Sequence, residues 1–217
     1  MAKYPYSAKD YTKGGWKMKK SIAFVIMFLV AISFAIAQPF GIKMGMTLDD
    51  LIARGCNPRF LGDILIMKLY DIMPPLTHSS FESYSVGINK KYGVVEIFAF
   101  GKNIDISICN QDLIDEFNKI KNQISKSYGQ SEDYDLSNPD SLLDKGGELV
   151  KLLKEQGTIL YSIWDSDSGV TLSDDIDHIH LDAKIEDASI GRLILSYSSI
   201  RMDDIFIGSI EEEESVF

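Results

Sequence analysis

Between Phe81 and Phe100, and again between Thr158 and Tyr197, the chain passes from one strand-like segment to the next with little more than a turn between them. Strands joined this closely pair antiparallel, because a parallel pair needs a crossover of a dozen or more residues. In the first run, Phe81–Ile88 alternates, 89–93 (Asn-Lys-Lys-Tyr-Gly) supplies a turn, and Val94–Phe100 follows as an apolar strand. In the second, Thr158–Trp164 is a strand and Asp165–Gly169 a turn. Ile176–Ile185 then sets Ile179, Leu181, Ala183 and Ile185 on one side against His178, His180 and Asp182 on the other, and Leu193–Tyr197 closes the run. The two runs are separated by an amphipathic helix over 111–128, in which Leu113, Ile114, Phe117, Ile120, Ile124 and Tyr128 recur at helical spacing. Asn110 is placed to cap that helix and Gly129 to stop it. Groups of strands separated by helices define an α+β fold. The expected architecture is an antiparallel sheet meander with helices packed on one face. The helix-then-strands order recurs in 38–130 and 131–208, which suggests two pseudo-duplicated halves.

A brief helix precedes the first run. Thr47 is its N-cap, Asp50 three residues on is a shorter stand-in for the capping-box glutamate, Gly55 stops it and Asn57-Pro58 turns the chain. Ile64–Tyr70 reads as one strand and Ile104–Ile108 as another, whereas Ser131–Asp140 reads as a polar loop. Asn138 and Pro139 suit the start of a further helix, with Leu142, Leu143, Leu149, Leu152 and Leu153 as its apolar face and Gly146-Gly147 as a kink. The acidic end, 209–217, reads as a tail.

The start of the chain carries an export signal. Lys17, Lys19 and Lys20 flank Ile22–Ala37, which is apolar apart from Ser33 and, at 16 residues, shorter than a membrane-spanning helix. Ala35 and Ala37 fit the small-residue pattern of a signal peptidase site, with the cut between Ala37 and Gln38 and the true start at Met18. The expected location is therefore periplasmic or secreted. The alternative is an uncleaved signal-anchor that tethers the protein to the membrane. Taking the six lysines and one aspartate of 1–37 from the chain's 22 basic and 32 acidic residues leaves a mature charge near −15. Such a surface repels nucleic acid and anionic lipid, which excludes both as partners. Cys56 and Cys109 permit one disulfide in an oxidising compartment, closing a loop worth roughly 3–4 kcal/mol, the alternative being two buried thiols.

Gly45-Met46-Thr47, a short helix, Gly55 and Pro58, followed by a strand meander, resembles the start of the BamE/SmpA type of outer-membrane assembly lipoproteins. It is also similar to the wider group of exported domains with a β-lactamase-inhibitor-protein-like fold. The resemblance spans about 14 residues. It implies a helical pair packed on one face of an antiparallel sheet, and work by binding other proteins. The chain departs from the group in its length, its acidity and the absence of a lipid-anchor cysteine, and no functional residue carries over.

Few motifs carry chemistry. His178, His180 and Asp182 share one side of a strand and form a candidate metal set. Asp165-Ser166-Asp167-Ser168-Gly169 resembles the start of a calcium loop. Its glycine is one position early and Ile176 stands where a bidentate glutamate belongs, which leaves a turn, or a looser site with Asp174, Asp175 or Asp177. There is no nucleophile elbow, dinucleotide fingerprint or P-loop, so no catalytic residue and no cofactor are assigned. The expected function is an exported protein-binding module of the bacterial cell envelope, its partner another envelope or secreted protein. The alternative is a metal- or small-ligand-binding protein, or a hydrolase, built on His178 and His180.

Overall fold

The structure, a computed structural model, describes residues 38–207 apart from 65, 139–147, 173–174 and 206. The leader with its cut at Ala37–Gln38, the tail 209–217, and the start of the helix expected from Asn138-Pro139 lie outside the described residues. So does Asp174.

The described residues form an α+β fold around a nine-stranded antiparallel sheet. α1 (Leu48–Ala53) leads into β1 (Arg59–Ile64), β2 (Met67–Ile72), β3 (Phe81–Asn89) and β4 (Gly93–Gly101). The two-residue β5 (Ile104–Asp105) and α2 (Gln111–Tyr128) follow, then β6 (Glu132–Asp135), α3 (Glu148–Glu155), β7 (Thr158–Trp164), β8 (Ile176–Ile185) and β9 (Ile190–Ser199). The strands lie in the order β1-β2-β3-β4-β9-β8-β7-β6, with β5 paired to β9. The order is a palindrome about the β4–β9 seam: each side is a four-stranded meander whose last strand is innermost.

One face of this sheet is fully packed. Val86, Ile97, Ala99, Ile179, Leu181, Ala183, Leu193, Leu195 and Tyr197 point into it and are buried. Over β2–β4 it is covered by the chain leading into α1, through Ile42, Met44, Met46, Leu51 and Cys56. Over β7–β9 it is covered by Leu113, Phe117, Ile120 and Ile124 of α2. α1 begins as its sequence dictates: the Asp50 amide bonds to Thr47 Oγ1 at 3.2 Å, and the Thr47 amide bonds back to Asp50 Oδ2 at 2.9 Å. Trp164 is wholly buried and donates Nε1–H to the carbonyl of Gly129, the residue that ends α2, at 3.0 Å. That bond pins the helix end to β7.

Several expectations are corrected. The 64–70 segment is not one strand: β1 ends at Ile64 and β2 begins at Met67 and pairs back on it, and the sequence between them has no Gly, Pro or Asn to announce a hairpin. The 104–108 strand shrinks to two residues. Within the expected 131–140 loop lies β6, which pairs with β7. Asn110 makes no side-chain cap bond to α2. The helices are not all on one face: α3 packs on the other side of the sheet, through Val150 and Leu153 against Tyr161, Ile163 and Tyr134. Leu152, expected on its apolar face, is half-exposed. Cys56 and Cys109 do not pair. Both are free thiols, one buried in the core behind α1 and the other exposed just before α2.

Candidate functional site

The second face of the sheet is the candidate site. Among the described residues α3 packs on it at the β6–β7 end. Because strand side chains alternate, the register fixes who stands beside whom across this face. One row runs Asp71, Ser85, Phe98, Ser196, His180, Ile163 across β2, β3, β4, β9, β8 and β7. A row on one side of it runs Gly87, Glu96, Ser198, His178. On the other side runs Ser83, Phe100, Ile194, Asp182, Tyr161.

The rows give the face its relief. On β4, Phe98 and Phe100 stack with ring centroids 6.3 Å apart and planes within 24°. On β8, the imidazoles of His178 and His180 stack at 4.4 Å and 18°, and His180 lies 5.3 Å from the ring of Tyr161. Between the two ridges, β9 presents Ser196 and Ser198. Two aromatic ridges therefore flank Ser196 and Ser198, with Ile194 next along β9 between Phe100 and Asp182. Phe98, Phe100, His178 and His180 are half-buried, and Ser198 and Ser85 are buried beneath them.

The electrostatics of the face follow from burial. Burial pushes the Glu96 carboxyl up to about 7, against the opposing pull of its hydrogen bond with Ser198. Burial raises Asp182 to about 6, with Lys184 and Thr158 pulling the other way. Burial, and then the charge of His178, brings His180 down to about 3. Near neutral pH His180 is therefore uncharged and Glu96 is divided between its protonated and ionised forms.

These shifts set the pH dependence of stability. The folded chain holds a proton on Glu96 between about pH 4.5 and 7 that the unfolded chain has lost, so stability falls as pH rises through that window. Asp182 acts in the same sense between about 3.8 and 6. His180 acts oppositely, losing stability as pH falls from about 6.5 towards 3. A Glu96→Gln variant removes the first of these. It is expected to be more stable than the parent at pH 8 by about 2–3 kcal/mol and to match it near pH 4.5, as read by urea unfolding at the two pH values.

The three residues expected to hold a metal are only partly brought together. His178 and His180 meet, and His178 Nδ1 lies 2.9 Å from Asp177 Oδ2. Asp182 is on the same face but leans away, accepting from Thr158 Oγ1 at 3.5 Å. Among the described residues no three His, Cys, Asp or Glu side chains group as metal ligands. The spacing explains it: alternate residues on a strand stand roughly 6.5–7 Å apart, so the third in line is about twice that from the first. The metal expectation is corrected to an imidazole pair. The Asp165–Gly169 segment satisfies itself as a turn, with the Ser168 amide on Asp165 Oδ1 at 2.8 Å and Ser168 Oγ on the Asp165 carbonyl at 2.8 Å.

The sequence reads Phe98 and Phe100, with Tyr161, Trp164 and Tyr197, as strand aromatics that mostly belong to the core, and it gives the β9 serines no role. The available signal was the alternation of β4, in which Glu96, Phe98 and Phe100 share a side opposite Ile97 and Ala99. No helix among the described residues is long and apolar enough to cross a membrane. No family model, curated protein or solved structure matches this chain.

Proposed function

We propose that this chain is an exported protein-binding module of the bacterial cell envelope, periplasmic or secreted, which holds its partner on the open face of the sheet. One observation carries the reading. The face opposite α1 and α2 has two aromatic ridges, Phe98/Phe100 and His178/His180, flanking Ser196 and Ser198 of β9, while the other face of the same sheet is spent on the core. Aromatic side chains, phenylalanine among them, are enriched in protein interfaces, where they bring a large apolar area. The resemblance to BamE/SmpA-type and β-lactamase-inhibitor-protein-like domains belongs to the same proposal, as do the signal peptide and its cleavage. So does the duplication of two halves, which the palindromic strand order and the placement of one helix before each four-stranded meander support. A mature charge near −15 favours a partner whose docking surface is basic.

The test is co-purification from the native host with the full tagged chain, quantified by mass spectrometry. A Phe98→Ala, Phe100→Ala variant, shown to be folded by circular dichroism, is expected to lose at least tenfold of a basic envelope partner that Asn122→Ala on α2 retains. Equal recovery with both variants would overturn the reading.

A further inference from the structure

Away from the open face, a cavity of about 480 Å³ lies between the turn of the β1–β2 hairpin, the turn of the β3–β4 hairpin and the start of α1. That volume is in the range of small-molecule sites. Its apolar lining comes from Leu48, Ile66, Met67, Tyr70 and Ile88. Its charged lining is Lys68, Lys90 and Lys91 against the single carboxylate of Asp63. In a chain with ten more acidic than basic residues, this is a local reversal of sign. Among the described residues none of the three lysines forms an ion pair.

The walls are tied to each other. Asn89 donates Nδ2–H to the carbonyl of Ile66 at 2.9 Å and accepts on Oδ1 from the amides of Lys91 and Tyr92 at 2.9 and 3.3 Å. One side chain thus joins the two hairpin turns and holds the cavity between them. At the back, Gly93 crosses Gly45 so closely that only glycine fits, and the Gly45 and Val94 backbones bond at 2.8 Å.

An apolar lining with a lysine rim selects one kind of ligand. We propose that this cavity binds a small amphiphilic anion, its apolar body against Leu48, Tyr70 and Ile88 and its acidic head among Lys68, Lys90 and Lys91. Neutral amphiphiles gain only the apolar part of that interaction, and cationic ones meet like charge at the rim. The shared chemistry is a monoanionic head on a hydrocarbon or aromatic body, which an acyl chain released from lipid and a soluble aromatic acid both offer.

The experiment is calorimetric titration of the full chain with decanoate, 1-decanol, decyltrimethylammonium and 2-naphthoate, each below its aggregation limit. Saturable one-to-one binding of at least one anion is expected, at least tenfold tighter than decanol, with decyltrimethylammonium weaker still. Decanoate tighter than 2-naphthoate points to a lipid-derived ligand, and the reverse to a soluble aromatic acid. The exposed lysines allow a clean variant: Lys68→Gln, Lys90→Gln, Lys91→Gln together are expected to weaken the anion tenfold or more and leave decanol unchanged. Asp63→Asn is expected to tighten the anion. Head-group indifference, or anion binding untouched by the triple substitution, would overturn the proposal and leave the open-face reading standing.

Discussion

Replacing Trp164 with alanine lowers the stability of the fold by about 4 kcal/mol, the upper range for core truncations. The indole is wholly buried, at the end of β7 and under the last turn of α2. Its removal leaves a cavity between sheet and helix, and it takes away the donor that holds the Gly129 carbonyl at 3.0 Å. A domain of this size has of order 5–15 kcal/mol in total, so the variant sits near the edge of folding at 37 °C. Trp164→Phe keeps most of the volume and loses the bond, and should cost about 2 kcal/mol. Urea unfolding of the three proteins checks this. A loss below about 1.5 kcal/mol for the alanine variant would mean that α2 is not pinned to the sheet through this residue.

Gly93→Ala should be nearly as damaging, for a different reason. Gly93 has φ +72°, and a Cβ built on it would lie 2.4 Å from the carbonyl oxygen of Gly45. The left-handed backbone alone costs a non-glycine residue about 1–2 kcal/mol. The overlap with backbone cannot be relieved by a side-chain rotation, and it breaks the approach in which the Val94 amide bonds to the Met46 carbonyl at 2.8 Å. A total of about 3 kcal/mol or more is expected. Gly169→Ala is the control: its φ is +78°, but nothing lies within 4 Å of the added Cβ. It should cost only about 1 kcal/mol. Similar losses at the two positions would contradict the close crossing of the Gly45 and Gly93 backbones.

Much of this architecture is written in local pattern. α2 is legible from Leu113, Phe117, Ile120 and Ile124 at helical spacing, all of which are buried. β7 and β8 are legible from their alternation, and α1 from the Thr47–Asp50 box. The elements that escape are those held by tertiary partners. β6 reads Glu-Asp-Tyr-Asp and has no apolar side of its own. It is kept in the sheet by Asp133, which accepts from Lys121 Nζ of α2 at 2.8 Å and from Ser162 Oγ of β7 at 2.6 Å. The β1–β2 hairpin escapes because its turn lacks turn residues and its edge strand is mostly exposed, with Phe60 and Leu61 about half accessible.

The open face is only half legible. Alternation alone puts His178, His180 and Asp182 on one side of β8. Which side of Phe98 and Phe100 faces that side, and that two serines of β9 stand between them, depends on β4 pairing with β9 across almost a hundred residues of sequence. No periodicity encodes that choice. The same long-range pairing sets Ser196 and Ser198 beside the two imidazoles.

The account turns on that face being where a partner docks. A photo-crosslinking amino acid placed at Ser196, between the two ridges, and at Asn122, exposed on α2 across the sheet, reads this directly in the native host. Ser196 should give a discrete protein adduct that disappears when Phe98 and Phe100 are changed to alanine, and Asn122 should give none of the same mass. Adducts from Asn122 alone, or a Ser196 adduct indifferent to the two phenylalanines, would contradict it.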